Sequence, residues 1–117
     1  MATKTAVQSY PISGNNNFIL VQWNALANAD DGDPFILSHY TDRSVQITGT
    51  FGAGGTVVLQ GTNDGVNYTN LTDNQGNLLS FTAPKLVQVM EIVLMIKPVV
   101  TAGDGTTNIN INMLVKK

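Results

Sequence analysis

Residues 44–71 read SVQITGTFGAGGTVVLQGTNDGVNYTNL, and they predict three successive strands joined by two turns. Val45, Ile47 and Phe51 alternate with polar residues, which is typical of a strand with one buried face. Two glycine-containing turns follow, at 52–55 and at Asn63-Asp64-Gly65, and such turns suit antiparallel neighbours. We therefore expect an antiparallel meander here and the rest of the chain built around it.

The rest of the chain continues the same pattern of short strands. Apolar runs at 18–23, 35–38 and 78–82 predict strands, and the run 86–96 predicts a long strand that is apolar on both faces. Residues 107–115 alternate almost perfectly, with Ile109, Ile111, Met113 and Val115 on one face and asparagines on the other. About eight short strands with regularly spaced turns and no convincing helix predict an all-β, antiparallel β-sandwich of jelly-roll type.

The domain organisation follows from where the periodicity begins. Residues 1–17 lack periodicity and end in a loop-like cluster, so they predict an N-terminal arm that is either flexible or ordered against a partner. Tyr10, Pro11 and Ile12 would be the apolar anchor of such an arm, because Pro11 already fixes an extended shape. Residues 18–117 are expected to form a single β-sandwich domain.

Composition limits the classes of function. Charged residues make up 12% of the 117 residues, about half the usual ~25%, and the net charge is −2. A surface poor in charge favours a part of an assembly. The six Lys and Arg residues form no basic stripe, so no nucleic-acid partner is expected. No run is long enough to span a membrane. The N-terminal residues are too polar for a signal peptide, from which we expect synthesis in a host cytoplasm without export.

No catalytic, metal-binding or cofactor-binding constellation is predicted, and the chain is expected not to be an enzyme. The chain has no cysteine, and its one histidine, His39, has no partner motif. Asp30, Asp31 and Asp33 suggest a calcium loop, but their spacing is not that of a helix–loop–helix site. An acidic turn in solvent is the competing interpretation.

The apolar run 86–96 suggests a contact with another subunit. Glu91 indicates that the odd-numbered face is the less deeply buried one, so Val89, Glu91, Val93 and Met95 are candidate partner-binding residues, together with the arm residues. The alternative is a central strand covered by a loop or by the arm. Both remain open at this point.

Two motifs carry a resemblance to known proteins. TVVLQGTNDGVNYTNLTD resembles the V-x-L-Q-G-S-N-D-G-x-N-W-x-x-L pattern of many small β-sandwich proteins, and LMIKPVVTAGDGTTNININ is similar to a Y-I-R-P-x-V-T-G-G-D-G-T-T ending found in small tailed-bacteriophage virion proteins. The chain departs from the patterns at Tyr68, where Trp is usual, and at 94–97, where Arg-Tyr-Ile-Arg is frequent. The first motif also resembles discoidin-type jelly rolls.

The resemblance implies a capsid decoration (cement) protein located on the virion surface. Its expected partners are the major capsid protein and further copies of itself, with a homotrimer favoured. The alternative is a carbohydrate-binding module or another tail or baseplate component. Its aromatic platform would have to come from Trp23, Tyr10, Tyr40 or Tyr68.

Overall fold

The computed structural model describes residues 2–11, 17–37 and 42–116. Within these ranges it is all-β, and it confirms the predicted antiparallel sandwich. Twelve strands are present there, several of only two residues, where about eight were expected. In chain order they are β1 Thr3–Lys4, β2 Val7–Ser9, β3 Phe18–Leu26, β4 Asp31–Gly32, β5 Phe35–Ile36, β6 Asp42–Thr50, β7 Thr56–Thr62, β8 Thr69–Asn70, β9 Ser80–Phe81, β10 Lys85–Gln88, β11 Met95–Ala102 and β12 Asn108–Lys116.

The strands form two sheets. The five-stranded sheet has the order β10-β6-β12-β3-β2, and the seven-stranded sheet has the order β1-β4-β11-β7-β8, with β5 beside β11 and β9 beside β7. The described pairs are antiparallel except β1 with β4. The core lies between the sheets, because every second side chain of the long strands points inward.

The meander predicted for 44–71 is wrong in its first half. β6 and β7 belong to different sheets, so residues 51–55 connect the two sheets and do not close a hairpin. Val45 and Ile47 of β6 and Val57 and Leu59 of β7 are all buried in the same core. An alternating pattern indicates which side chains are buried. It does not indicate whether the next strand lies beside this one in the same sheet or opposite it in the other sheet. The second turn does join paired strands, since Gln60 of β7 pairs with Asn70 of β8.

The long strand predicted for 86–96 is also wrong. β10 ends at Gln88 in the five-stranded sheet, and β11 begins at Met95 in the seven-stranded sheet. Residues 89–94, which we call the crossover, pass from one sheet to the other. Odd-numbered residues face the core in β10 and even-numbered residues face it in β11, as Val87 and Ile96 show. The run is apolar on both faces because its inward face changes, so it is neither a covered central strand nor a single exposed one.

The closing strand β12 confirms its prediction. Ile109, Ile111, Met113 and Val115 have no exposed surface, and the residues between them are half-buried on the other face. β12 lies at the centre of the five-stranded sheet, between β6 and β3, and Ile111 pairs with Ile47 and Trp23. The centre of the core therefore depends on this strand.

Truncation of Ile111 should destabilise the fold strongly. Ile111→Ala removes a fully buried side chain, and such changes cost about 2–5 kcal/mol of unfolding free energy. Gln46→Ala is the matched control, because Gln46 is exposed on the neighbouring strand and should cost less than about 1 kcal/mol. Denaturant unfolding measures both values. A loss below 1 kcal/mol for Ile111→Ala would contradict a core centred on β12.

Candidate interaction surfaces

Residues 2–10 make contacts with both sheets of the same chain. β1 pairs with β4 at the edge of the seven-stranded sheet, and β2 pairs with β3 at the edge of the five-stranded sheet. Tyr10 is 61% exposed and Pro11 is exposed, whereas Ile12 lies outside the described residues. The described part of the predicted arm is therefore paired with its own chain, and its docking on a partner stays a prediction.

This N-terminal segment contacts the acidic turn at residues 30–33. Asp30 and Asp31 are buried. Asp30 accepts hydrogen bonds from the backbone amides of Ala2 and Ala27, each at 2.9 Å, and Lys4 lies 3.9 Å away. Asp31 accepts a 2.7 Å hydrogen bond from the Thr3 hydroxyl. The solvated turn expected from the sequence is therefore wrong for these two carboxylates.

The charge of each buried carboxylate is balanced locally. Burial alone would raise the pKa of Asp30, but the amides of Ala27 and Ala2 and the charge of Lys4 outweigh it and lower that pKa. Asp31 forms a 3.2 Å ion pair with Lys97. Among the described residues, no three or more His, Cys, Asp or Glu side chains are grouped so that they could hold a metal ion.

The odd-numbered candidate residues of the crossover have structural contacts within the chain. Val89 is 2% exposed, and half-buried Val93 packs against the core. The exposed Glu91 carboxylate accepts hydrogen bonds from the amide and hydroxyl of Thr72. Half-buried Met95 accepts a hydrogen bond from the Tyr68 hydroxyl at 3.9 Å. Their role as partner-binding residues stays a prediction.

Two further contacts fix the course of the crossover. Buried Arg43 donates a 2.6 Å hydrogen bond from Nη2 to the Glu91 carbonyl, and burial lowers the pKa of its guanidinium. Gly61 allows Val93 to approach β7, since a Cβ at Gly61 would lie 3.0 Å from the Val93 methyl groups and 2.8 Å from Leu71. The crossover is thus attached to both sheets.

The even-numbered residues of the crossover face solvent instead. Ile92 is 87% exposed, Met90 51% and Leu94 40%. We call these three residues the crossover patch. Apolar character was the one signal for this patch in the sequence, because the exposed parity could be assigned only once the change of sheet was known.

A second surface is the outer face of the five-stranded sheet. Cross-strand pairing aligns its outward residues into two complete rows and three partial rows, which we call the amide face. The rows are Leu86, Gln46, Asn112, Gln22 and Val7; Gln88, Ser44, Leu114, Leu20 and Ser9; Asp42, Lys116 and Phe18; Thr48 and Asn110; and Thr50 and Asn108. Asp42 and Lys116 are the two charged residues among these seventeen.

Contacts within the amide face hold its side chains in place. Gln22 donates a 2.9 Å hydrogen bond to the Asn112 carbonyl oxygen, and the Lys116 ammonium lies 5.8 Å from the centre of the Phe18 ring. A shallow cleft of about 310 Å³ lies at one end of this face and is lined by Phe18, Leu114, Ser44, Gln88, Asp42, Arg43 and Lys116. The face therefore combines a cleft lined by apolar, polar and charged side chains with a mainly neutral surround.

Two of the aromatic residues that could form a sugar-binding platform, Trp23 and Tyr68, make contacts within the chain. Trp23 is 1% exposed, and its indole N–H donates to the Asp33 carbonyl at 2.8 Å. The Tyr68 ring lies over Lys97, whose Nζ is 4.4 Å from the ring centre. Tyr40 and His39 lie outside the described residues. Trp23 and Tyr68 are thus engaged in packing and do not form an open platform.

Both motifs that carried the family resemblance are turns closed by aspartates. In the first, Asp64 accepts hydrogen bonds from the amides of Asn67 and Val66, which lower its pKa strongly. Gly65 supplies the left-handed conformation there, with φ of 80°. In the second motif, Asp104 binds the hydroxyl and amide of Thr106 and the amide of Ala53. The Asn-Asp-Gly and Gly-Asp-Gly parts of these motifs therefore form turns held by their aspartates.

Comparison with known proteins gives one structural similarity. No protein-family model matches the chain, and no curated protein matches it in sequence. A solved structure, the crystal structure of the SPBc2 prophage-derived protein YomS, is similar in fold with a TM-score of 0.64 and 12% identity. The similarity covers 91% of this chain and 100% of that chain. At this identity it establishes a shared fold.

The described residues also contain no helix that is both long and apolar enough to cross a membrane.

The free energy of unfolding should depend on pH through the Asp104 carboxylate. Its hydrogen bonds, that of the Thr106 hydroxyl first, lower the pKa of Asp104 to about 2 from 3.8. Because the folded-state pKa is the lower one, the carboxylate stabilises the fold above about pH 4 and loses this effect as the pH falls towards 2. Asp104→Asn should therefore be less stable than the natural protein at pH 6, with the difference shrinking towards pH 2. Urea unfolding across this range measures it, and a difference that is constant with pH would contradict the assignment.

Proposed function

We propose that this chain is a non-enzymatic structural protein of a bacteriophage virion, a decoration (cement) protein that binds the major capsid protein on the capsid surface. The observation that carries this proposal is the crossover patch. Three large apolar side chains stand exposed on a segment that is attached to both sheets. Exposed apolar groups on a fixed backbone suit a contact with another protein, since little conformational entropy is lost when they dock.

The fold and the motifs support a phage origin. The similar solved structure is described as prophage-derived, and the second turn motif resembles an ending found in small tailed-bacteriophage virion proteins. The low content of charged residues supports a role in an assembly, because few ionised groups need to be desolvated when the surface is covered.

The proposed mechanism is thermodynamic. A decoration protein that binds the assembled lattice, and not the free subunits, stabilises the lattice by mass action. No bond is made or broken, so no catalytic group is needed. A carbohydrate-binding role has less support, because two of its four candidate aromatic residues, Trp23 and Tyr68, are engaged in packing.

Binding to phage particles tests the proposal. Heads and tails are purified from a phage stock from which the gene has been deleted, and the natural protein is added to each. We expect saturable binding to heads. Ile92→Asn should weaken this binding at least tenfold, because it replaces the most exposed apolar side chain of the crossover patch.

Val7→Asn is the matched control. Val7 is 49% exposed and lies on β2, at the edge of the five-stranded sheet opposite β10 and the start of the crossover, so this variant should bind like the natural protein. Co-sedimentation gives the occupancy of each variant. Binding to tails alone, no binding to heads, or equal head binding by Ile92→Asn would each count against the proposal.

A further inference from the structure

We propose that the amide face is a self-association surface, through which two copies of this chain pair face to face about a two-fold axis. The proposal concerns the purified protein and does not depend on the proposed function. It assigns the contact to the outer face of the five-stranded sheet, and not to the crossover residues that the sequence suggested, and it proposes a pair where the resemblance favoured a homotrimer.

The chemistry of the face favours a second copy over a different partner. Asn, Gln, Ser and Thr side chains each carry both a donor and an acceptor, so a surface made of them can pair with an identical surface. Gln46, Asn112 and Gln22 form an uninterrupted row of amides across its three central strands. A surface built for a charged partner would carry a complementary charge, which this face does not.

The two charged residues are compatible with such pairing. Asp42 and Lys116 lie directly opposite each other on neighbouring strands, so the face has no net charge. Each face carries Asp42 and Lys116 at the same end of its strands. A pair of identical faces therefore contains equal numbers of acidic and basic groups. Two faces bearing only one sign of charge would repel.

Three apolar residues give the contact a surface that gains from being covered. Leu114 and Leu20 lie side by side in the second row, with Phe18 next to them at the edge of the shallow cleft. All three are half-buried, which leaves part of each side chain to be covered by a partner. Covering them removes apolar surface from water, which favours association.

The size of the face is close to what a specific dimer needs. β3, β6 and β12 each have nine residues, about 30 Å at ~3.3 Å per residue, and the strands lie about 4.8 Å apart. With the shorter β2 and β10, the footprint is roughly 550 Å² per copy. Two footprints give about 1,100 Å², near the lower limit of ~1,200 Å² for stable interfaces. The association should therefore be reversible and concentration-dependent.

Sedimentation velocity of the purified protein between about 1 and 200 µM tests this, a range chosen because small interfaces bind weakly. We expect a monomer–dimer equilibrium. Gln46→Lys places a charge on the amide face of both copies and should weaken association at least tenfold. Gln60→Lys is the matched control on the outer face of the seven-stranded sheet, and it should not change the equilibrium. Circular dichroism checks that both variants fold.

A cysteine pair keeps the test decisive if Gln46→Lys fails to fold. The chain has no cysteine, so Gln46→Cys and Gln60→Cys each introduce a single thiol. A short bismaleimide should join two copies through position 46 and not through position 60. A natural protein that stays monomeric at 200 µM, an association unchanged by Gln46→Lys, or cross-linking through position 60 alone would overturn the proposal.

Discussion

The packing of two sheets against each other through one face of each is the constraint on which the rest of the structure depends. The inward side chains of β6 and β12 meet those of β7 and β11, and with Trp23 and three phenylalanines they form the core. Since the chain must visit both sheets, it needs connections that change sheet, and residues 51–55 and 89–94 are two of them. The inward residues are odd-numbered on both sides of the first connection, but they change from odd to even across the second. The second leaves three apolar side chains outside the core, so the crossover patch is a consequence of how the sandwich is closed.

The sequence predicted the elements better than their arrangement. The alternation in β12 and the run starting at Phe18 identified core strands correctly, because burial on one face leaves a period of two in a single strand. The pairing of β6 with β7 and the strand 86–96 were wrong, because periodicity carries no information about which sheet the next strand joins. The candidate residues at 89–95 were predicted as one face of a single strand from 86 to 96. Because that segment belongs to two strands and a crossover, these side chains mainly contact their own chain. The amide face needed the cross-strand register, which links Leu86 to Val7 over five strands.

The acidic residues explain how a chain with few charges can also present a nearly neutral surface. Six of its eight carboxylates accept hydrogen bonds or form ion pairs within the fold. Asp64, Asp73 and Asp104 bind backbone amides of turns, and Asp30 and Asp31 hold the N-terminal residues. Hydrogen bonds to these amides keep the pKa values of Asp64, Asp73 and Asp104 low, so the groups stay ionised but act as parts of turns. The charges serve local structure, which leaves amides, hydroxyls and apolar groups to form the large surfaces.

The two proposed contact surfaces are neighbours, and this has a consequence for binding. β10 contributes Leu86 and Gln88 to the amide face and leads directly into the crossover patch at Met90. Two copies joined through the amide face would therefore present two crossover patches on one rigid unit. A lattice that repeats the same site can bind both patches, and the second contact is then made at a high effective concentration. Weak individual contacts would add up to firm attachment on an assembled lattice, whereas a free subunit offers one site. The discrimination between lattice and subunit would follow from the placement of the two surfaces, without a chemical difference between the sites.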